Sequence, residues 1–193
     1  MSLVTLMEGL AAARIRVVLV GGMAVRVHGV QRVTDDVDVC YDTGFLNERA
    51  LVSLLRDWNA YPRDVAPGRP FRLSRKDLSR NDTVRLQTVH GYLDLMREVP
   101  GVGRFGDIIA HADTLRLERG LVLPVINVDK LIRAKEHAGR AKDVEVLHEL
   151  RALRALKLAR ESGLDDLDVA AKPPAPDASP APRSPRPRGR DGR

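Results

Sequence analysis

The stretch Leu19-Val20-Gly21-Gly22-Met23-Ala24 and the Asp36-Val37-Asp38 that follows it predict a strand, a tight turn and a second strand. The run over residues 16–20 is almost entirely apolar and β-branched, which is typical of a strand buried on both faces. It ends at two glycines, which let the backbone approach a bound phosphate closely. The sequence therefore predicts a phosphate-binding turn beside a pair of carboxylates.

Residues 31–40 alternate between polar and apolar side chains, as expected for a strand with one buried face. If the whole segment is extended, Val33, Val37 and Val39 point into the core. The opposite face would then carry the polar side chains, which are Arg32, Thr34, Asp36 and Asp38. We expect the first face to build the core and the second to perform chemistry.

The composition bounds the class of protein. The 193 residues, 44% of them hydrophobic, suit one domain with a small appendage. A single cysteine, Cys40, excludes an internal disulfide and fits a reducing compartment. The longest apolar stretch, about nine residues, is far shorter than the roughly 20 residues of a membrane helix, and the N-terminus lacks the basic start of a signal peptide. We expect a cytoplasmic protein with no membrane partner.

The net charge of +6 is unevenly distributed. Residues 172–193 hold six basic and two acidic side chains together with seven of the twelve prolines, so we expect a disordered basic tail. Between residues 63 and 85 lie seven basic and three acidic side chains. This basic stretch is either a solvated loop or a surface that contacts RNA phosphates.

Periodicity and capping signals predict an α+β fold, in which a mixed β-sheet flanked by helices is followed by a C-terminal helical extension and the disordered tail. Residues 84–89 and 92–96 should form a hairpin, and residues 61–80 a loop or short strands. A further strand is expected at 121–126, where Pro124 suggests a sheet edge. Helices are expected at 3–13, 23–27, 46–58, 105–110, 128–137 (capped by Asn127 and ended by Gly139) and 140–160. The predicted units are a catalytic core over 1–126, the helical extension over 127–165 and the tail over 166–193.

Three carboxylates are the candidate metal ligands. Asp36 and Asp38 lie two residues apart on a strand, so they face the same way and can share one ion. In the predicted hairpin Leu93 and Leu95 face the core, which turns Asp94 toward the opposite face. Magnesium prefers a few carboxylates together with phosphate and water oxygens, as phosphoryl transfer requires. Asp94 would ligate the metal or take the proton of an acceptor hydroxyl.

Four motifs carry a resemblance to a known family. The pair Gly21-Gly22, the spacing Arg32-x-Thr34-x-Asp36-x-Asp38 and the strand Tyr92-Leu93-Asp94-Leu95 resemble the minimal nucleotidyltransferase (polymerase beta-like) superfamily. Lys135-Glu136-His137-Ala138-Gly139-Arg140-Ala141-Lys142-Asp143 is similar to the C-terminal signature of its AbiEii and MenT toxin branch. The resemblance spans roughly residues 15–155.

The resemblance implies a toxin that transfers NMP from an NTP to RNA, with the 3′ end of tRNA as acceptor, Mg²⁺ (or Mn²⁺) as cofactor and a cognate antitoxin as partner. Many members carry Ser where this chain has Gly22, so phosphate contact here would rest on backbone amides. The implied metal ligands are Asp36, Asp38 and Asp94. The implied catalytic residues are Asp36, Asp38, Asp94, Lys135 and Asp143. The implied nucleotide-binding residues are Gly21, Gly22, Arg32, Thr34 and Lys135.

Other hypotheses stay open at this point. NMP could go to a protein hydroxyl, as in antitoxins that modify a partner, or to a small molecule such as an aminoglycoside. The chain could also be a binding module without catalysis. Arg32 either contacts phosphate or pairs with Asp35 or Asp36. Lys135 and Lys142 either share a helix face at the site or are solvated.

Overall fold

A computed structural model of the chain describes residues 2–65 and 71–162. Its helices are α1 Leu3–Ala12, α2 Gly21–Val27, α3 Phe45–Asp57, α4 Arg75–Arg80, α5 Phe105–Ile109, α6 Val128–Ala138 and α7 Val144–Glu161. Its strands are β1 Val17–Val20, β2 Asp36–Tyr41, β3 Tyr61–Pro62, β4 Thr83–Gln87, β5 Tyr92–Met96, β6 Glu98–Val99, β7 Gly103–Arg104, β8 Asp113–Arg116 and β9 Val122–Val125. The predicted tail lies outside the described residues, and the unit boundaries stay a prediction.

The main sheet is mixed and has the strand order β3-β4-β5-β2-β1-β9-β8. The two strands expected on either side of the glycine turn, β1 and β2, pair antiparallel near its centre. β2 pairs in parallel with β5, which forms the predicted antiparallel hairpin with β4. The α+β architecture with a mixed sheet is therefore confirmed. Among the described residues, no helix combines the length and apolarity needed to cross a bilayer.

The core is aliphatic, as the scarcity of aromatic residues requires. Every residue of β1 is buried, because helices α1 and α5 and the neighbouring strands cover this part of the sheet. Val37 and Val39 of β2 are inaccessible to solvent, and so are Leu93 and Leu95 of β5. Burying such side chains contributes about 1.5–3 kcal/mol each. The strands that carry the carboxylates are therefore the best-packed part of the molecule.

The structure agrees with the expected ends of α6 to within one residue, whereas the helix expected over 140–160 begins at Val144. The Asn127 side chain accepts a hydrogen bond from the Lys130 backbone N–H at 2.9 Å and caps α6. Gly139 ends that helix in the left-handed conformation, with φ of 57°. A 3₁₀ turn over Ala141–Asp143 then leads into α7, which packs against α6. The reversal at Gly139 brings the residues after α6 back toward the sheet.

The prediction of an extended segment from residue 31 is wrong, because β2 begins at Asp36. Val33 has the same parity as Val37, yet 89% of it is exposed. The reason is a lack of partners: the pairing of β1 ends at Val20 opposite Asp38, and that of β5 begins at Tyr92 opposite Asp36. Residues 31–35 consequently run beyond the sheet.

The assignment of 121–126 to a sheet edge is also wrong, because β8 lies outside β9. The Ile126 N–H donates to the Leu19 carbonyl at 2.9 Å, so by alternation Pro124 turns its nitrogen toward β1. Pairing between β9 and β1 is limited to Leu19 opposite Val125. The proline therefore interrupts an interior pairing instead of marking an edge.

A helix also replaces part of the expected loop over 61–80. Ser74 caps α4, since its backbone N–H donates to Asp77 Oδ2 at 2.8 Å and its hydroxyl lies 2.5 Å from the same oxygen. Ser and Asp at this spacing form a capping box. The capping box therefore specifies the helix locally.

We expect Val37→Ala to lower the free energy of unfolding by about 2 kcal/mol, because it removes buried methyl groups from β2. The matched control is Val33→Ala, which should change stability by less than about 0.5 kcal/mol because Val33 is exposed. Urea denaturation measures both. Equal costs for the two substitutions would contradict the strand boundary at Asp36.

Candidate active site

Three carboxylates converge on one face of the sheet. Asp36 and Asp38 share a face of β2, and Asp94 lies directly opposite Asp38 in the parallel pairing with β5. Opposed residues on paired strands point to the same side, so one oxygen of each side chain falls within 4.8 Å of the others. Three oxygens at this separation can hold one divalent cation.

Burial and mutual repulsion make two of these groups weaker acids. Burial, followed by the charges of Asp36 and Asp94, raises the pKa of Asp38 to about 6, although a hydrogen bond from Gly22 opposes the change. The pKa of Asp94 is also raised, mainly by burial and against the opposing effect of Arg63. Charging all three carboxylates at once is costly unless a cation neutralises them. The cluster therefore fits a divalent metal by its chemistry.

The double glycine is held against Asp38. Gly21 starts α2 with φ of +61°, and the Gly22 N–H donates to Asp38 Oδ2 at 3.3 Å. A Cβ at Gly21 would lie 1.9 Å from that oxygen, and one at Gly22 would lie 2.5 Å from Thr34 Oγ1. Glycine leaves room for the two side chains that pack on the turn, Asp38 at Gly21 and Thr34 at Gly22. Whether its amides also contact phosphate stays a prediction.

A second cluster faces the carboxylates from the helical side. Lys135 Nζ donates to Asp143 Oδ1 at 2.8 Å, and both side chains are buried. The guanidinium of Arg32 lies 3.5 Å from the same oxygen and donates to the Lys142 carbonyl at 3.2 Å. Arg32 therefore pairs across the cleft with Asp143, and neither of the expected partners, Asp35 or Asp36, takes that place.

The hypothesis that Lys135 and Lys142 share a helix face is wrong. Gly139 ends α6, so Lys142 falls in the following 3₁₀ turn and its side chain is exposed. Asp143 instead turns back to Lys135, as a pair eight positions apart that no helical periodicity would bring together. The solvated alternative holds for Lys142 and fails for Lys135.

All predicted site residues line one cleft with a volume of about 560 Å³. The carboxylates stand on one wall, and the Lys135 cluster stands on the other. The residues brought together are Gly21, Gly22, Arg32, Thr34, Asp36, Asp38, Asp94, Lys135 and Asp143. Their positions agree with a shared site, while their individual roles stay predictions.

The sequence interpretation missed the cations beside Asp94. Arg63, assigned to a basic surface, forms an ion pair with Asp94 and lies 3.9 Å from Asp36 Oδ2. Arg85 approaches the other oxygen of Asp94 at 3.8 Å. In the same stretch, Arg75 pairs with Glu48 at 2.8 Å. Much of this positive charge is therefore satisfied within the molecule. No local pattern signals the contacts of Arg63 and Arg75, whose partners lie 31 and 27 positions away, whereas Arg85 stands opposite Asp94 within the predicted hairpin.

The single cysteine has no catalytic surroundings. Cys40 is inaccessible to solvent on β2, and burial, followed by the charges of Glu98 and Asp107, raises the pKa of its thiol to about 12. A nucleophilic cysteine needs a lowered pKa. Cys40 is therefore part of the core.

No protein-family model matches the chain, and no curated protein matches it. Several solved structures are similar. The lincomycin-bound lincosamide antibiotic adenylyltransferase LnuA has a TM-score of 0.50 at 16% identity, over 77% of this chain and 94% of that one. ANT(2″)-Ia in complex with adenylyl-2″-tobramycin has a TM-score of 0.47 at 14% identity, over 82% and 98%. The solution structure of the antibiotic-resistance factor ANT(2″)-Ia has a TM-score of 0.43 at 15% identity, over 84% of this chain and 94% of that one.

The likeness to LnuA shows that this chain has a nucleotidyltransferase-type fold, with the mixed sheet and flanking helices that the sequence predicts. The fold part of the resemblance is therefore confirmed. The similarity to the AbiEii and MenT branch rests on the sequence motif alone.

We expect Asp38→Asn to stabilise the metal-free protein at about pH 8 but not at about pH 4. The raised pKa means that the folded chain binds this proton more tightly than the unfolded chain, so stability falls as pH rises from about 4 to about 6. The gain at high pH should be about 1–3 kcal/mol. Denaturant titrations at both pH values measure it. The control Asp35→Asn, at an exposed carboxylate, should show no such difference, and a gain from Asp38→Asn that is the same at both pH values would refute the expectation.

We expect Gly21→Ala to destabilise the protein by about 1–3 kcal/mol more than Gly139→Ala. Both glycines have nearly the same positive φ, 61° and 57°, so alanine pays the same backbone cost of about 1 kcal/mol at each. Only at Gly21 does the new Cβ collide with Asp38, because nothing lies within 4 Å at Gly139. Chemical denaturation compares the two. Similar losses would show that the turn does not press on the carboxylate.

Proposed function

We propose that the chain is an NTP-dependent nucleotidyltransferase that transfers NMP to a hydroxyl group of a small molecule. The observation that carries this proposal is the convergence of Asp36, Asp38 and Asp94 in a cleft opposite the Lys135 cluster. This arrangement pairs ligands for a divalent cation with fixed positive charge for a triphosphate, which are the main requirements of phosphoryl transfer. The shared fold with a known adenylyltransferase adds support.

The three carboxylates would hold Mg²⁺, or Mn²⁺. When bound, such an ion neutralises phosphate oxygens and lowers the barrier to displacement at phosphorus. In the transfer itself, the acceptor oxygen forms a bond to the α-phosphorus, the bond from that phosphorus to the bridging oxygen of the β-phosphate breaks, and pyrophosphate leaves. The acceptor proton would go to Asp94, the carboxylate that the parallel pairing places beside Asp38.

The nucleotide side of the cleft would be formed by the Lys135 cluster. Asp143 fixes the Lys135 ammonium by a buried hydrogen bond and draws Arg32 to the same place. A lysine held in this way presents its charge with little loss of side-chain entropy on binding. Gly21 and Gly22 carry no side chains, so their backbone amides would approach a phosphate beside Asp38. Thr34 borders the same wall.

A small-molecule acceptor is favoured over RNA. LnuA is a lincosamide antibiotic adenylyltransferase, and the cleft volume of about 560 Å³ lies in the range of small-molecule sites. In the basic stretch over residues 63–85, Arg63 and Arg75 pair with carboxylates of the same molecule, which leaves less positive charge to contact RNA. Transfer to the tRNA 3′ end, with an antitoxin partner, and transfer to a protein hydroxyl are the alternatives that the experiment must separate.

The test incubates the protein with each α-labelled NTP, Mg²⁺ and either a panel of hydroxyl-bearing antibiotics, including lincosamides and aminoglycosides, or total tRNA. We expect label on a small molecule and release of pyrophosphate, both abolished by a chelator. Label on tRNA or on a protein band would overturn the proposed acceptor. No label on any acceptor, together with no NTP binding by calorimetry, would overturn the enzyme assignment.

Substitutions connect the activity to the site. Asp38→Asn and Asp94→Asn should each lower transfer by about 10²–10⁴-fold, because they remove a metal ligand or the base. Asp35→Asn is the matched control, since this neighbouring carboxylate is exposed and belongs to no part of the cluster. An equal loss of transfer activity in Asp35→Asn would show that the effect comes from the net charge near the cleft and not from the cluster.

A further inference from the structure

Arg63 is held on the carboxylate cluster by three contacts. Its guanidinium pairs with Asp94, lies 3.9 Å from Asp36 Oδ2 and stacks over the Tyr92 ring with its Cζ 4.7 Å from the centroid. The Arg63 side chain is 28% exposed, so these contacts are partly shielded from water. An arginine in this position supplies the positive charge that the three carboxylates require.

The main chain of Arg63 is anchored separately from its side chain. The backbone N–H of Arg63 donates to the Arg85 carbonyl at 3.0 Å, directly after the short strand β3. The guanidinium reaches the cluster from this anchor across the end of β5. A change of side-chain rotamers alone, with no movement of the sheet, would withdraw it from Asp94.

The arginine and a divalent cation need the same place. The Arg63 guanidinium donates to Oδ1 of Asp94 and approaches Oδ2 of Asp36, so it contacts two of the three proposed metal ligands. A guanidinium cannot lose its proton in a protein, so it keeps its charge beside any ion that enters. Repulsion between the two cations and competition for the same oxygens both favour its departure.

We propose that a divalent cation bound by the carboxylate cluster displaces Arg63 from Asp94. This inference rests on the metal site of the proposed function. Arg63 is a positioning residue: its charge offsets those of Asp94 and Asp36, and it lowers the affinity for the metal by the free energy of its own displacement. Once displaced, its charge remains at the mouth of the cleft.

Arg85 offers a matched comparison on the same carboxylate. Its Nε lies 3.8 Å from Asp94 Oδ2, and 70% of its side chain is exposed. It contributes the same formal charge near the cluster, but it spans no second ligand among the described contacts. Removal of Arg85 therefore measures the effect of net charge, while removal of Arg63 measures that effect plus the displacement.

The experiment is calorimetric titration of Mg²⁺, and of Mn²⁺, into the nucleotide-free protein, Arg63→Gln and Arg85→Gln. We expect Arg63→Gln to bind the metal roughly tenfold more tightly than the wild type, and Arg85→Gln about twofold or less. The excess for Arg63 should persist at high salt, because direct displacement is screened less than a distant charge. Circular dichroism and thermal unfolding establish that both variants are folded.

A second measurement follows the wild-type protein itself and uses the variant only for assignment. The Nε–Hε resonances of the arginines in the wild-type protein should include one, assigned by its absence in Arg63→Gln, that moves on addition of Mg²⁺ while the Arg75 resonance stays in place. Arg75 serves as reference because it pairs with Glu48 away from the cluster. Equal changes in metal affinity for the two variants, or an Arg63 resonance that does not shift when Mg²⁺ is added, would overturn the proposed displacement but not the metal site. A wild-type protein that binds no divalent cation would overturn the metal site as well.

Discussion

The site depends on the register between β2 and β5. Asp38 lies opposite Asp94, and Val37 and Val39 on either side of Asp38 lie opposite Leu93 and Leu95. All four flanking side chains are inaccessible to solvent, so the core holds the register in place. A slip by one residue would turn the carboxylates into the core and the aliphatic residues out, which is far too costly to be populated. The same packing that stabilises the sheet therefore assembles the acidic cluster.

The opposite wall of the cleft shows a different relation between stability and chemistry. Lys135 and Asp143 form a buried ion pair. Apolar residues of similar volume often stabilise a protein at least as much, because the free energy of removing two charges from water offsets much of their attraction. Such a pair is understandable where a charge is needed at a fixed place. Arg32 extends the pair to the segment before β2, so the helical side and the sheet meet across the cleft through Asp143.

Much of this arrangement follows from short-range rules. Alternation along strands placed Asp36, Asp38 and Asp94 on one face, and the Asn127 cap and Gly139 bounded α6. The predictions fail where the structure of a segment depends on neighbouring strands or on residues far away in the sequence. Val33 obeys the alternation but has no strand beside it, and β8 is too polar and too short to be recognised from sequence. The contacts of Arg63 and Arg32 join residues 31 and 111 positions apart, which no local pattern can specify.

The lone thiol of Cys40 makes β2 its own reporter of local opening. It lies in β2, two residues beyond Asp38, without solvent contact and with its pKa raised to about 12. The folded strand therefore presents neither a path nor a thiolate to an alkylating reagent. Since the chain has no other cysteine, each alkylated molecule records one opening of this strand, and a labelling time course reads the opening rate without any engineered probe.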